Sequence, residues 1–155
     1  MTVKRLSKIV VRKMCEGDLP IVSELAMLAN PHALKEEYGK HILDRLKENP
    51  DLSFIAEDNE RVVGYVQAVV YEDEAVIGDI VVANEYQRRG IGKQLMNTII
   101  EAIKNRKVRI VLAEIHYICA SSIPFYYKYN FRITGFVQDY FGAGHDAILL
   151  RLVLR

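Results

Sequence analysis

The stretch from residue 80 to residue 93, which reads IVVANEYQRRGIGK, constrains the fold of this chain most. An apolar run that ends at Val82 leads through polar residues to two glycines, Gly90 and Gly92. Apolar side chains then recur at the spacing of one helix face, at Met96, Ile99, Ile100 and Ile103. This order predicts a β-strand, a glycine-rich turn and an α-helix in direct succession.

The glycine-rich turn predicts a binding site for an anion. Glycines let the backbone approach a ligand closely, and the first N–H groups of the following helix have no partner inside the helix. Arg88, Arg89 and Lys93 add positive charge at the same point. A phosphate or pyrophosphate group is therefore the expected ligand.

Two common phosphate-binding motifs do not fit this turn. A Walker-A loop requires Ser or Thr after its Gly-Lys pair, where this chain has Gln94. A dinucleotide-binding fingerprint requires a third glycine, and Leu95 stands in that place. The pattern that remains is [Q/R]-x-x-G-x-[G/A], where x is any residue. Gln87, Gly90 and Gly92 occupy its three defined positions. It resembles the acyl-CoA-binding loop of the GNAT acetyltransferase superfamily.

The composition predicts a globular protein without strong overall charge. Of its 155 residues 50% are hydrophobic and 26% are charged, and the length favours a single domain over residues 1–155. The net charge of +1 argues against a nucleic-acid partner, because such binders carry a large basic excess. No apolar stretch reaches membrane-spanning length, so no membrane partner is expected, and nothing indicates an oligomeric state.

Cysteine and histidine positions give two further expectations. Cys15 and Cys119 lie far apart, and residues 1–8 lack the apolar core of a signal peptide. Free thiols in the reducing cytoplasm are therefore expected. The four histidines show no metal-ligand spacing, so no metal is expected; they are His32, His41, His116 and His145.

The order of predicted elements is β-α-α-β-β-β-α-β-α-β-β, which matches the GNAT fold along nearly the whole chain. We expect strands at residues 9–12, 52–57, 61–71, 75–82, 108–115, 131–141 and 146–154. We expect helices from 19 to about 30, from 34 to 47, after Gly90, and after Ser121 or Ser122, with Asp18 as the first N-cap. The resemblance implies an α/β fold with a mixed central sheet of about six to seven strands, four helices and a V-shaped opening at the acetyl-CoA site.

The C-terminal third resembles the protein N-terminal acetyltransferases of the RimI and Ard1 kind. The resemblance rests on residues 114–131, with their Ser-Ser pair, Tyr126 and a closing Asn-Phe, and on residues 139–147. In those enzymes the last hairpin covers the first residues of the peptide substrate. This chain departs from them at His145, where they have a glutamate, and at Cys119, where they often have an asparagine that contacts CoA. The connection at residues 29–33 also lacks the pair of an aromatic residue and a proline that is usual in those enzymes.

The resemblance implies two catalytic residues. Glu114, near the end of a central strand, matches the base that frees the amine of its proton through a water molecule, and burial there is expected to raise its pKa. Tyr126 matches the tyrosine that donates a proton to the CoA sulfur. His116 lies on the same side of the strand as Glu114 by period-two alternation and is a second candidate base.

The same resemblance assigns the binding residues. A backbone N–H of Val81 or Val82 is expected to polarise the thioester carbonyl. The residues expected to bind acetyl-CoA are Ile80, Val81, Val82, Gln87, Arg88, Arg89, Gly90, Ile91, Gly92, Lys93, Cys119 and Tyr126. The residues expected to contact substrate are Tyr38, Asp79, Glu114 and Tyr140.

The function that these residues predict is direct transfer of an acetyl group from acetyl-CoA to the α-amino group of a protein or peptide, with CoA as the product. One alternative is an acetyltransferase for lysine side chains or another small amine. A second alternative is a GNAT-fold module that binds acyl-CoA or a partner without turnover. The presence of both Glu114 and Tyr126 beside an intact loop argues against that module, because a pure binder needs neither.

Overall fold

The computed structural model describes residues 8–155, and its elements follow the predicted order. The strands are β1 (Ile9–Lys13), β2 (Ser53–Asp58), β3 (Arg61–Tyr71), β4 (Glu74–Val82), β5 (Ile110–His116), β6 (Arg132–Val137) and β7 (Ala147–Val153). The α-helices are α1 (Leu19–Ala26), α2 (Lys35–Glu48), α3 (Ile91–Asn105) and α4 (Ile123–Lys128). Short 3₁₀ turns lie at Glu16–Asp18, Pro50–Leu52, Asn84–Tyr86 and Tyr117–Ser122.

All seven strands form one mixed sheet in the order β1-β2-β3-β4-β5-β7-β6. Neighbouring strands pair antiparallel except β4 and β5, which pair parallel. A parallel pair needs a long crossover connection, and α3 with its flanking turns supplies it. The predicted α/β class and the predicted strand number are confirmed.

The parallel pair β4–β5 opens into a V-shaped gap. The two strands pair only from Glu74 to Ile77 and from Ile110 to Ala113. Beyond that point β4 stays paired with β3 as far as Val82, and β5 stays paired with β7 as far as His116. A register shift between β3 and β4, next to Gly78, bends β4 away at the same level. This gap is the opening that the GNAT resemblance implies.

Helices cover both faces of the sheet. On one face α3 buries its apolar stripe completely, with Ile91, Leu95, Met96, Ile99 and Ile103 each at most 1% exposed. On the other face α1 and α2 pack against β2 and β3 through a second cluster that includes Val22, Ala26, Ile42, Ile55 and Tyr65. Full burial of a large apolar side chain contributes about 1.5–3 kcal/mol, so α3 is firmly fixed with its N-terminus beside the gap. Within residues 8–155 no helix has both the length and the apolar character needed to span a bilayer.

Two predicted caps, Asp18 and Ser122, stand at the N-cap positions of α1 and α4 but make no side-chain capping bond. The Asp18 carboxylate instead accepts hydrogen bonds from Arg12 at 2.8 and 2.9 Å and from the Cys15 N–H at 2.9 Å. It therefore links the 3₁₀ turn to β1. Ser122 likewise makes no cap hydrogen bond to α4, because its hydroxyl donates to the Cys119 carbonyl at 2.7 Å.

The last predicted strand pair is shorter than expected. β6 ends at Val137, and Asp139 has a φ of 57°, which no strand residue adopts. The Asp139 N–H donates to the Asp146 carboxylate at 2.9 Å across the turn. Residues 138–146 therefore form a loop, called here the hairpin loop, that projects beside the end of β5.

Candidate active site

The N-terminus of α3 has the backbone geometry that the predicted anion site requires. Gly90 has a φ of 81°, a left-handed conformation that favours glycine, and its carbonyl accepts the N–H of Gln94 at 3.1 Å. That bond is the first of the helix, so the N–H groups of Ile91, Gly92 and Lys93 have no partner within it. No side chain of residues 8–155 caps these groups. Three free N–H groups and the positive end of the helix dipole suit a phosphate.

The polar residues before α3 differ in what they contact. The Gln87 amide donates to the Val82 carbonyl and to the Asn84 side chain, both at 3.2 Å, so it ties the turn to the end of β4. The Arg89 guanidinium lies 4.9 Å from the ring centre of Tyr86. Arg88 and Lys93 are exposed and are available to bind an anion at the N-terminus of α3.

Gly92 keeps open a passage between β4 and α4. A Cβ atom placed at Gly92 lies 3.7 Å from Phe125 on α4 and 4.0 Å from Val82 on β4. The missing side chain therefore leaves space between these elements, next to the anion site and the V-shaped gap. An elongated ligand with a phosphate at one end and a thioester at the other fits this arrangement, which is the shape of acetyl-CoA.

The direction of the β4 backbone separates the two candidate donors for a thioester carbonyl. The Ala83 N–H donates to Val63 on β3 at 2.8 Å. Backbone groups alternate in direction along a strand, so the Val81 N–H also points to β3. The N–H groups of Ile80 and Val82 then point into the gap. Val82, rather than Val81, is the better-placed donor.

Glu114 lies on β5 just beyond its last pairing with β4, opposite Leu149 of β7. Its side chain is half-buried rather than enclosed. Tyr140 of the hairpin loop lies near it, and the pKa of Tyr140 is raised first by partial burial and then by the nearby Glu114 carboxylate. Two residues predicted on separate elements thus meet where the hairpin loop reaches the gap.

Tyr126 lies on α4 and is 6% exposed. Burial, followed by the nearby charge of Asp79, raises its pKa above the ordinary tyrosine value, so its hydroxyl keeps the proton at neutral pH. Cys119 is close by, and the same two causes in the same order raise the pKa of its thiol.

Asp79 is the centre of a buried polar network on the α1 and α2 side of the sheet. Asp79 is 6% exposed, and its carboxylate accepts four hydrogen bonds. The donors are Tyr38 at 2.5 Å, Tyr65 at 2.9 Å, Asn30 at 3.0 Å and Arg45 at 3.4 Å. Burial, with the Asp79 charge second, raises the pKa of both tyrosines.

This network changes the interpretation of two predicted substrate contacts. The Tyr38 hydroxyl and the Asp79 carboxylate are bound to each other inside the protein. Asn30, Arg45 and Tyr65 were absent from the predicted site, and no local pattern marks them, because they lie 14 to 49 residues from Asp79 in sequence. Asp79 and Tyr38 therefore hold α1 and α2 against β4.

Three of the four histidines lie close together in the structure, although their spacing in the sequence gives no sign of it. His32, His116 and His145 come together at the end of β5, with His116 Nε2 only 2.8 Å from His145 Nδ1. His116 Nδ1 accepts the N–H of Ile118 at 3.2 Å. Both ring nitrogens of His116 are thus occupied, which leaves Glu114 better placed than His116 to act as the base.

A profile of the Acetyltransferase (GNAT) family matches residues 19–131, which include the anion site, the gap and α4. The chain belongs to the GNAT acetyltransferase family. It is therefore an acyltransferase, and acetyl-CoA is its cofactor. The loop, the gap and the passage described above are the parts of this acetyltransferase that fit that cofactor.

Several proteins similar to this acetyltransferase are named as N-terminal acetyltransferases of the RimI or Ard1 kind. The [ribosomal protein bS18]-alanine N-acetyltransferase of Salmonella typhimurium is 30% identical over 105 residues, which cover 66% of this chain and 70% of the relative. An N-alpha-acetyltransferase of Sulfurisphaera tokodaii is 27% identical over 135 residues, covering 78% of this chain and 81% of the relative. The crystal structure of Ard1 from Thermoplasma volcanium has the same fold, with a TM-score of 0.86, 23% identity and coverage of 95% and 98% of the two chains.

The Asp79 network predicts a large loss of stability when its acceptor is changed. Asp79→Asn removes the charge that faces Arg45 and replaces one acceptor with an N–H₂ group that confronts other donors. We expect the acetyltransferase to lose about 3 kcal/mol of unfolding free energy, measured by urea denaturation.

The matched control for this loss is Asp51→Asn. Asp51 pairs with Arg106 at 2.9 and 3.0 Å on the surface, where such a pair contributes at most about 1 kcal/mol. Equal losses in the two variants contradict the structural role of Asp79.

Proposed function

We propose that this acetyltransferase transfers the acetyl group of acetyl-CoA directly to the N-terminal α-amino group of proteins or peptides. The position of Glu114 carries the proposal, because this candidate base lies on β5 just beyond the last residue paired with β4, at the mouth of the gap and near Tyr140 of the hairpin loop. Two relatives named as acetyltransferases of a protein N-terminal residue or α-amine support it.

In this proposal the residues of the V-shaped gap divide the proton transfers between them. Glu114, directly or through one water molecule, accepts a proton from the incoming amine. Its half-buried position leaves the carboxylate accessible from the hairpin loop. Tyr126, on α4 and protonated at neutral pH, donates a proton to the departing sulfur. The amine and the leaving group thus use separate groups, which fits direct transfer in a ternary complex.

The backbone and the loops supply binding and orientation. The Val82 N–H points into the gap and is placed to bind the carbonyl oxygen, on which negative charge develops during transfer. When bound, acetyl-CoA would supply the activated acetyl thioester, and the N–H groups of Ile91, Gly92 and Lys93 would hold its phosphates. Tyr140 is 48% exposed beside Glu114 and is available to contact the first residues of a peptide.

Selectivity for the α-amine follows from proton affinity. An α-amine has a pKa of about 7.7–8.0 and a lysine amine about 10.4, so near pH 7.5 the neutral fraction differs on the order of 10²-fold. We expect a peptide with a free N-terminus and no lysine to be acetylated on the order of 10² times faster than the same peptide with a blocked N-terminus and one lysine. Initial rates with acetyl-CoA, measured by release of CoA thiol, provide the test.

A peptide with both a free N-terminus and a lysine serves as the control in this comparison. Mass spectrometry of its products must locate the acetyl group at the α-amine. Equal rates on the first two peptides move the function to a general amine acetyltransferase. Binding of acetyl-CoA without turnover of any amine indicates a binding module.

A further inference from the structure

The three clustered histidines belong to three separate segments of the chain. His32 lies in the connection between α1 and α2, His116 ends β5, and His145 closes the hairpin loop. One ring nitrogen from each lies within 4.8 Å of the others. Within residues 8–155, no other group of three or more His, Cys, Asp or Glu side chains comes close enough to share an ion.

His32 provides an unpartnered nitrogen in this cluster. Its Nδ1 atom is buried and has no hydrogen-bond partner among the described residues. The His32 ring stacks on His116 with centres 4.8 Å apart and planes inclined by 16°. A buried polar atom without a partner is unfavourable, and a bound cation satisfies a free imidazole nitrogen.

The hairpin loop holds His145 in place by its own hydrogen bonds. The His145 N–H donates to the Gly142 carbonyl at 2.9 Å. The Asp139 carboxylate accepts the Gly144 N–H at 2.7 Å, and Asp146 accepts the Asp139 N–H at 2.9 Å. Because these bonds fix the backbone on both sides of His145, its ring is presented to the cluster without further ordering.

Phe141 closes one side of the cluster. Its ring centre lies 5.2 Å from that of His32 and 5.7 Å from that of His116. An apolar wall of this kind limits access of water and strengthens the bond between an imidazole and a metal ion. The carboxylate of Asp146 follows His145 directly and adds negative charge nearby.

We propose that His32, His116 and His145 bind one divalent transition-metal ion, for which Zn²⁺ is the best match. Neutral imidazoles suit Zn²⁺, and three protein ligands with water in the fourth position form a common tetrahedral site. The ion ties the α1–α2 connection to the hairpin loop, the two segments that flank the end of β5. This site goes beyond acetyl transfer and does not depend on which amine accepts the acetyl group.

Binding requires small, defined adjustments. Bonds of about 2.0–2.1 Å to a tetrahedral ion place the ligand nitrogens roughly 3.3 Å apart, so the 2.8 Å contact between His116 and His145 widens and His32 moves inward. His116 Nδ1 accepts the Ile118 N–H, so its ring proton lies on Nε2 in the metal-free protein. When Nε2 binds the ion, this proton is exchanged for one on Nδ1 and the 3.2 Å bond from Ile118 is given up.

The test is calorimetric titration of the chelator-treated full chain with ZnCl₂, with Co²⁺ absorption spectra as a report on coordination geometry. We expect one ion per chain and a tetrahedral Co²⁺ spectrum. His32→Ala and His145→Ala should each weaken Zn²⁺ binding at least about tenfold. His41→Ala is the matched control, because His41 is exposed on α2 outside the cluster, and it should bind as the wild type does.

Three results overturn the site. They are the absence of stoichiometric Zn²⁺ binding to the wild type, an unchanged affinity in both His32→Ala and His145→Ala, and an equal loss in His41→Ala. His116 is buried, so the two partly exposed histidines carry the test even if His116→Ala fails to fold. The peptide assay of the proposed function contains no metal, so failure of either proposal leaves the other standing.

Discussion

Glu114→Gln should lower kcat/KM for a peptide with a free N-terminus by roughly 10²–10⁴ near neutral pH. Glutamine keeps the shape of the side chain and its place beside Tyr140 but cannot accept a proton. Raising the pH should restore part of the rate, because a larger fraction of the α-amine, with a pKa of about 7.7–8.0, is then already neutral. The measurement is a pH–rate profile of the variant and the wild type on the same peptide.

Tyr126→Phe is the matched comparison for this variant. It removes the proton donor for the sulfur and leaves the amine untouched, so a higher pH should not restore its rate. We expect its defect to be the smaller one, because the CoA thiolate is a tolerable leaving group without assistance. Acetyl-CoA should bind to both variants, which separates lost chemistry from lost binding. Wild-type rates in Glu114→Gln at every pH reject Glu114 as the base and make His116→Ala the next variant to test.

Gly92→Val should abolish the stabilisation of the protein by acetyl-CoA. At about 100 times its dissociation constant, a ligand that binds only the folded state stabilises it by about 2.7 kcal/mol. A valine at position 92 adds its methyl groups to the passage between Val82 and Phe125, where even a Cβ atom lies within 4.0 Å of both. Thermal unfolding with and without acetyl-CoA measures the shift.

Gly135→Val is the control for this loss. Gly135 lies on the edge strand β6, and a Cβ atom there meets no atom within 4 Å, so the same substitution should leave the ligand-induced shift intact. Gly90→Val is less informative, because the φ of 81° strains any side chain at that position and lowers stability by itself. An undiminished shift in folded Gly92→Val rejects the passage as the binding site.

The elements nearest the cofactor are those that the sequence predicts best. The apolar run ending at Val82, the turn at Gly90 and the stripe on α3 depend on local spacing, so their order is readable without the structure. Strand β3 begins and ends at the predicted residues 61 and 71, because the turn before it is also local. The residues of that turn, Asn59 and Glu60, both have positive φ values.

The sequence does not predict the direction of the N–H groups along β4 or the shape of the hairpin loop. The pattern at residues 80–82 predicts a strand but leaves open whether Val81 or Val82 directs its N–H into the gap. That choice depends on the register with β3, which the bond from Ala83 to Val63 fixes. The strand predicted at residues 131–141 extends four residues into the hairpin loop, because this stretch is rich in residues that favour strands. The hydrogen bond between Asp139 and Asp146 instead ends the strand at Val137.

The sequence by itself therefore determined the GNAT architecture, the glycine turn that begins α3 and the placement of Glu114 near the end of a central strand. Only the tertiary structure decided which distant side chains meet, as in the four donors around Asp79 and the three histidines at the end of β5. Periodicity and turn chemistry act over a few residues, and they predict helices, strands and turns. Contacts between segments tens of residues apart depend on how those elements pack, and no local pattern records them.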